Sequence, residues 1–237
     1  AWDEDSDLAV YDTEANQVLT TRGIADPERR ENWPSWSADG RTLYFVSAPQ
    51  LPWTQLQEVK YDLMRISFDP ATGTWGERET ILSAADSGRS AAQPKESPDG
   101  RWLLFLLAHH GNFPTYQPIC DLYVIDLRNG KRHPLNAVNR RWSGSWPTWS
   151  SNGRWICFTS KREGGVLGRI YFSYFDRNGE AHRPFVMPQK DPSFYESCTM
   201  TFNLPELIIA PVPLSPSRLG RAITAQASLP APSLVRK

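Results

Sequence analysis

Two neighbouring histidines, His109 and His110, are the side chains in this 237-residue chain best suited to hold a metal or move a proton. A catalytic metal site needs at least three well-placed ligands, and two neighbours on a strand point to opposite faces. His133 and His182 fall near separate turns, so neither a metal nor a cofactor is expected. No G-x-S-x-G nucleophile elbow occurs, and fewer than 50 residues follow Asp191, too few for a hydrolase domain with its own elbow. Cys120, Cys157 and Cys198 are odd in number and lack C-x-x-C spacing, which removes the usual zinc and haem signatures. Cys157 lies in an apolar run and reads as core; whether Cys120 pairs with Cys198 stays open. What remains is binding chemistry. Trp53, His109, His110, Phe113, Tyr116, Arg140, Arg141 and Trp142 combine the aromatic and guanidinium groups that dominate protein-binding hot spots. Trp53 and Trp142 have an alternative role, packing down as cover over the core.

The elements that must carry these residues are legible as a repeat. "NWPSWSADGRTLYFVS" from Asn32, "AQPKESPDGRWLLFLL" from Ala92 and "SWPTWSSNGRWICFTS" from Ser145 share proline, serine, glycine and arginine in register. Pro34, Pro94 and Pro147 stand 60 and 53 residues apart, a period that signals stacked supersecondary units. Each copy holds a turn in which Asp or Asn bonds its own backbone and glycine takes the left-handed conformation. The apolar strand that follows has the continuity expected where both sheet faces are covered. A second hairpin follows in "DLMRISFDPATG" from Asp62, "DLYVIDLRNG" from Asp121 and "RIYFSYFDRNG" from Arg169. "DLAVYDTEANQVLT" from Asp7 is that half-unit alone. Two hairpins per unit make four antiparallel strands, and such sheets repeated at this period predict propeller blades. The expected layout is a half blade over 7–22, full blades over 33–83, 93–136 and 146–187, a short helix and closing strand within 191–212, and a disordered tail over 213–237.

The signature P-x-[aromatic]-S-x-D-G-[KR]-x-[IL]-x-F followed by D-L-[aromatic]-x-x-D-x-x-x-G resembles the repeats of TolB-type β-propellers. The match covers roughly residues 7 to 187 and departs at Glu96, where Trp36 and Trp149 stand in the other copies, and at Asn152, where the others have aspartate. The resemblance implies an all-β partial propeller of about three and a half blades, with upstream blades and any export signal outside this chain. A four-bladed ring closed by the C-terminal segment is the alternative. It also implies a non-catalytic protein that binds a protein partner, envelope or peptidoglycan-associated, in the periplasm or another extracytoplasmic compartment. The alternative is a carbohydrate-active or peptidase-associated propeller, because some members of this repeat family are polysaccharide lyases that use histidine and glutamine with a divalent metal.

Charge and hydropathy narrow the partner further. Lys plus Arg equals Asp plus Glu at 26 each, so no global field draws in nucleic acid, and no apolar run reaches the length of a membrane span. The long connections, Ala48 to Lys60, Ala108 to Cys120 and Lys161 to Gly168 together with the interblade segments, are expected on one ring face, opposite the tight turns. They carry the candidate residues. Trp33, Gln93 and Trp146, each just before a repeat proline, line the central channel or serve structure there. Asp191 and Pro192 open the expected short helix near residues 192 to 202, and "NLPELIIAPV" is the expected closing strand.

Overall fold

Each repeat is pinned by one serine. Ser37 Oγ donates to Asp39 Oδ1 at 2.6 Å and accepts from the Thr42 N–H at 2.9 Å. Ser97 makes the same pair of bonds with Asp99 at 2.6 Å and Trp102 at 2.9 Å, and Ser150 with Asn152 at 2.8 Å and Trp155 at 3.0 Å. The third turn therefore starts at Ser150, and the Asn152 amide oxygen takes the place of a carboxylate. The second hairpins turn on Asp69, Asp126 and Asp176, whose Oδ1 atoms accept from the N–H of Ala71, Arg128 and Asn178.

The computed structural model describes residues 5–142, 144–225 and 233–236, without the side chains of Trp53 and of 233–236. A half blade of β1 (Val10–Asp12) and β2 (Gln17–Thr20) comes first. The first full blade is β3 (Arg29–Trp36), β4 (Thr42–Pro49), β5 (Asp62–Asp69) and β6 (Thr74–Leu82). A one-turn helix α1 (Ala84–Ser87) leads to the second blade, β7 (Ser90–Glu96), β8 (Trp102–Ala108), β9 (Cys120–Asp126) and β10 (Lys131–Pro134). The third blade is β11 (Ser145–Trp149), β12 (Trp155–Ser160), β13 (Arg169–Tyr174) and the two-residue β14 (Phe185–Val186). Beyond it lie α2 (Phe194–Ser197), α3 (Pro216–Thr224) and β15 (Ser233–Arg236). Each full blade is a four-stranded antiparallel meander in chain order, whereas β15 pairs in parallel with β2 and makes the half blade three-stranded. The fold is an all-β partial propeller, its full blades beginning at Arg29, Ser90 and Ser145.

The apolar strands fill the spaces between blades. Every residue of β8 is buried, and its two faces feed two cores: Leu104 and Leu106 pack with Phe158 and Tyr171 of the third blade, while Leu103 and Phe105 pack with Tyr44 and Val46 of the first. Trp149 and Glu96, the position where the repeat varies, both tie a blade to the one before it. Trp149 Nε1 donates to the Lys95 carbonyl at 3.0 Å. Glu96 instead accepts from the Tyr44 hydroxyl at 2.6 Å and from the Ala38 N–H at 3.0 Å. At the equivalent position of the preceding seam the glutamate thus makes two hydrogen bonds where the indole makes one.

The inner strands share a second irregularity. Pairing slips by one residue between Asn32 and Ser35, between Ala92 and Lys95, and between Ser145 and Thr148, the signature of a β-bulge. The residue ahead of each proline is left-handed, with φ of 56° at Trp33, 52° at Gln93 and 55° at Trp146. For a residue with a side chain this costs about 1–2 kcal/mol.

The C-terminal region differs from expectation in three ways. The helix foreseen near 192–202 is only α2, because the Arg169 guanidinium takes the carbonyls of Cys198 and Met200, each at 2.6 Å, and draws the chain out of helical form. No strand forms over "NLPELIIAPV". Instead Leu204 repeats the left-handed residue before proline, with φ 52° just before Pro205, which lies 58 residues beyond Pro147. The tail foreseen as disordered carries α3, capped by the Ser215 hydroxyl, and β15; residues 226–232 and 237 of that expectation lie outside the described residues. No disulfide joins Cys120, Cys157 or Cys198, and burial pushes the Cys157 thiol up to about 12.

Two outcomes follow for stability. Changing Glu96 to Ala leaves the buried Tyr44 hydroxyl without its acceptor and should lower the unfolding free energy by about 2 kcal/mol, with Glu96→Gln costing less; chemical denaturation reads both. The second concerns acid. The Ser37 hydroxyl and the Arg41 N–H hold Asp39 below the usual carboxylate range. Burial pushes Asp99 and Asp126 upward, but bonds from Ser97 and from Arg128 and Arg101 outweigh it and leave both low. Depressed carboxylates contribute stability above their unfolded pKa and lose it as pH falls. The share these aspartates contribute should be complete above about pH 5 and fall below about pH 4. Asp39→Asn with Asp99→Asn, copying Asn152, should make that fall shallower.

Candidate functional site

The loops between the second and third strands of each blade are the long ones, and two of them build a cleft. In the first blade the loop after β4 contributes Leu56, Val59 and Tyr61; in the second, the loop after β8 contributes residues 110–113, Tyr116 and Gln117; Arg30 of β3 completes the wall. The cleft encloses about 280 Å³. Its shape depends on loop bonds that cross between blades. The Gly111 N–H donates to the Val59 carbonyl at 2.7 Å, and Ser90 Oγ, which also accepts from the Tyr61 N–H at 2.9 Å, donates to the Gly111 carbonyl at 2.6 Å. Gln117 folds the loop back on itself, its Oε1 accepting from the N–H groups of His109 at 3.0 Å and His110 at 3.2 Å.

Arg30 is only 2% exposed, and its Nε donates to Gln50 Oε1 at 3.0 Å while an Nη atom reaches the Leu51 carbonyl. These bonds hold the guanidinium in place within the cleft wall. Phe113 stacks edge-on against Trp33 at 5.8 Å and lies 6.4 Å from Tyr116. Tyr116 is 68% exposed, with the Lys161 ammonium 5.6 Å from its ring centroid. His109 and His110 do not alternate along a strand. They lie just beyond β8 with rings 5.6 Å apart and Nδ1 atoms 3.4 Å apart. Burial and then the neighbouring His109 hold His110 below the ordinary histidine range, so it is neutral near pH 7 and both donates and accepts.

The candidate residues thus divide among separate places. His110, Phe113 and Tyr116 line the cleft, with His109 beside them. Arg140 and Arg141, both exposed, lie on the connection to the third blade and line other grooves. Trp142 is half-buried and left-handed, and its ring lies against Gly165, where an added Cβ would stand 3.0 Å from Nε1. The Trp53 side chain lies outside the described residues. His133 and His182 stand apart from the histidine pair: His133 Nε2 lies 3.0 Å from the Gly179 carbonyl and His182 Nε2 lies 3.3 Å from Asp176, both at the third blade's second turn. Among the described residues no three His, Cys, Asp or Glu side chains gather as a metal would require.

A second cavity, about 120 Å³, sits where the inner strands converge, lined by Trp33, Gln93, Trp146 and Leu204 with the prolines that follow them, and by Lys95 and Glu206. Trp33 and Trp146 meet edge-on at 4.8 Å. Trp33 Nε1 donates to the Asn112 carbonyl at 2.7 Å, which couples this cavity to the cleft loop. Gln93 Oε1 accepts from the Trp146 N–H at 2.6 Å, and Glu206 Oε2 accepts from Thr148 Oγ1 at 3.2 Å. Gln93 Nε2 and Trp146 Nε1 are buried donors without an acceptor among the described residues, and such groups call for a water or a ligand oxygen. Glu206 was not among the sequence candidates, although its N-x-P-E setting carries the repeat proline. Arg30 was missed because burial inverts the usual expectation for a charged residue on an edge of the repeat.

No protein-family model matches the chain, and no curated protein is similar to it. Among solved structures it is similar to the β-propeller domain of the Trilobed protease from Pyrococcus furiosus, described as having an open velcro topology, at 14% identity and a TM-score of 0.40 over 69% of this chain and 45% of that one. An oligogalacturonate lyase in complex with manganese matches at 19% identity and a TM-score of 0.42, over 65% of this chain and 38% of that one. A Mycobacterium tuberculosis puromycin-hydrolyzing peptidase matches at 15% identity and a TM-score of 0.46, over 76% of this chain and 28% of that one. The chain spans less than half the length of each of these proteins.

Proposed function

We propose that this propeller binds a protein partner through the cleft between its first two blades and performs no chemistry of its own there. The observation that carries the reading is Tyr116, a tyrosine left 68% exposed at the rim of a 280 Å³ cleft and backed by Phe113 and Trp33. An aromatic anchor beside a fixed guanidinium is the composition of a binding hot spot, and loops held by a rigid scaffold are where binding residues concentrate. The likeness of the repeats to TolB-type propellers supports a partner in the envelope and an extracytoplasmic location. Among the described residues no helix is long and apolar enough to cross a membrane. A carbohydrate-active reading draws on Gln93 and Glu206 in the inner cavity, but His110 lies in the cleft instead, with Trp33 between the two.

A photo-crosslinking residue in place of Tyr116 should trap a discrete protein adduct in cells that make the chain, while one in place of Thr72, on a tight turn of the opposite face, should not. Once the partner is purified, Phe113→Ala with Tyr116→Ala should weaken its binding by about 2–4 kcal/mol. Identical adducts from both positions, or an unchanged affinity, would overturn the assignment.

A further inference from the structure

Five arginines of the described residues close on a carboxylate. Arg29, Arg65, Arg78, Arg89 and Arg101 each meet an Asp or Glu side chain, at 2.6 to 3.3 Å. The seam between the second and third blades instead gathers four arginines in one place. Arg140, Arg141, Arg162 and Arg183 line one open groove of about 530 Å³, with Glu163 as its single acidic residue. Among the described residues no carboxylate forms a salt bridge with Arg140, Arg141 or Arg183, all three exposed. Glu163 is already engaged, accepting from the Tyr171 hydroxyl at 2.8 Å.

We propose that this groove binds an acidic peptide segment, its carboxylates held by the guanidinium groups of Arg140, Arg141, Arg162 and Arg183.

Three features support this ligand. Arg162 is held in place before any ligand arrives: its Nε donates to Ser160 Oγ at 2.9 Å, an Nη donates to the Val138 carbonyl at 3.2 Å, and the guanidinium lies 4.5 Å from the Tyr171 ring centroid. Burial opposes its protonated form, and the Arg140 charge adds to this while Tyr171 and Glu163 offset part of it, so two guanidinium charges share the groove and a further anion would relieve them. All four cations are arginine, whose planar fork matches a carboxylate through two parallel bonds where lysine offers a point charge. The groove walls favour a peptide over an acidic glycan. Tyr171, its only aromatic, is 3% exposed and covered by Arg162, so no open ring is presented for a sugar to stack on, whereas Pro184 and Val186 suit the side chains of a polypeptide. The chain as a whole is neutral, which makes the attraction local to this seam.

The test uses a fluorescein-labelled peptide of alternating Glu and Gly, its Gln counterpart, and an oligogalacturonate of equal charge, titrated with the whole chain and followed by anisotropy. The acidic peptide should bind, with affinity falling as salt rises. Arg140→Ala with Arg141→Ala, and separately Arg183→Gln, should each weaken it by about ten-fold or more. Arg140→Lys with Arg141→Lys should fall between these and the parent. Arg132→Gln, an exposed arginine on β10, should change nothing, and circular dichroism should match for all variants. Equal binding of the Gln peptide, unchanged binding by the arginine variants, or binding of the oligogalacturonate alone would each overturn the proposal. Because the probe is synthetic, the outcome is independent of the partner trapped at Tyr116.

Discussion

A left-handed residue placed directly before a proline is the constraint on which the centre of this molecule depends. Proline removes a donor from the ladder, so an inner strand can carry it only at a bulge. At Trp33, Gln93, Trp146 and Leu204 the preceding residue turns to positive φ, and the chain bends at the same level in each copy. That bend brings Trp33 and Trp146 into edge contact and aims Gln93 at the Trp146 backbone. A backbone penalty recurring four times persists only where the surroundings over-determine it, and the convergence of these four residues on one cavity supplies that determination.

From this centre outward, blade contacts decide what the loops can do. Trp33 reaches from the inner strand to the Asn112 carbonyl, so the cleft loop carrying Phe113 and Tyr116 rests on the same bulge that shapes the channel. Glu96 and Trp149 tie neighbouring blades at equivalent places by different chemistry. Where a blade side has less cover, the aromatics show it: Trp36 is 38% exposed and Trp155 37% exposed, whereas Phe105 and Phe158, between blades, are fully buried. Electrostatics follows the same division. Arg29 and Arg89 each close on a carboxylate of their own blade, whereas four arginines at the seam of the third line an open groove.

Much of this was written in the sequence in physical terms. Serine, Asp and Gly at fixed offsets named the hairpin turns because each residue has a distinct task there, and continuous apolar strands named the stacking of blades. Propeller architecture followed. The fourth left-handed residue escaped because Asn203 to Glu206 keeps the proline but lacks the turn that marks the other copies, and Arg169, which shortens the α2 helix, acts from a strand nearly thirty residues upstream. The site was legible residue by residue but not as a set. His110, Phe113 and Tyr116 come from one loop, and their grouping could be read. The arginine groove is assembled from an interblade connection, a loop and the approach to β14, and no local signal joins such residues. Left-handed backbone at tryptophan, glutamine and leucine carries no compositional mark at all, since glycine is the residue that usually announces it.

The most direct test of the central claim is the sign of a glycine-against-alanine comparison in unfolding free energy, made at Gln93 and at Leu204. Both replacements remove the side chain's contacts alike, so their difference isolates the backbone. At an ordinary strand position glycine is less stable than alanine by roughly 0.5–1 kcal/mol. The account predicts the reverse at both positions, with glycine more stable by about 1 kcal/mol because alanine retains the left-handed penalty. Alanine proving the more stable at both would contradict it.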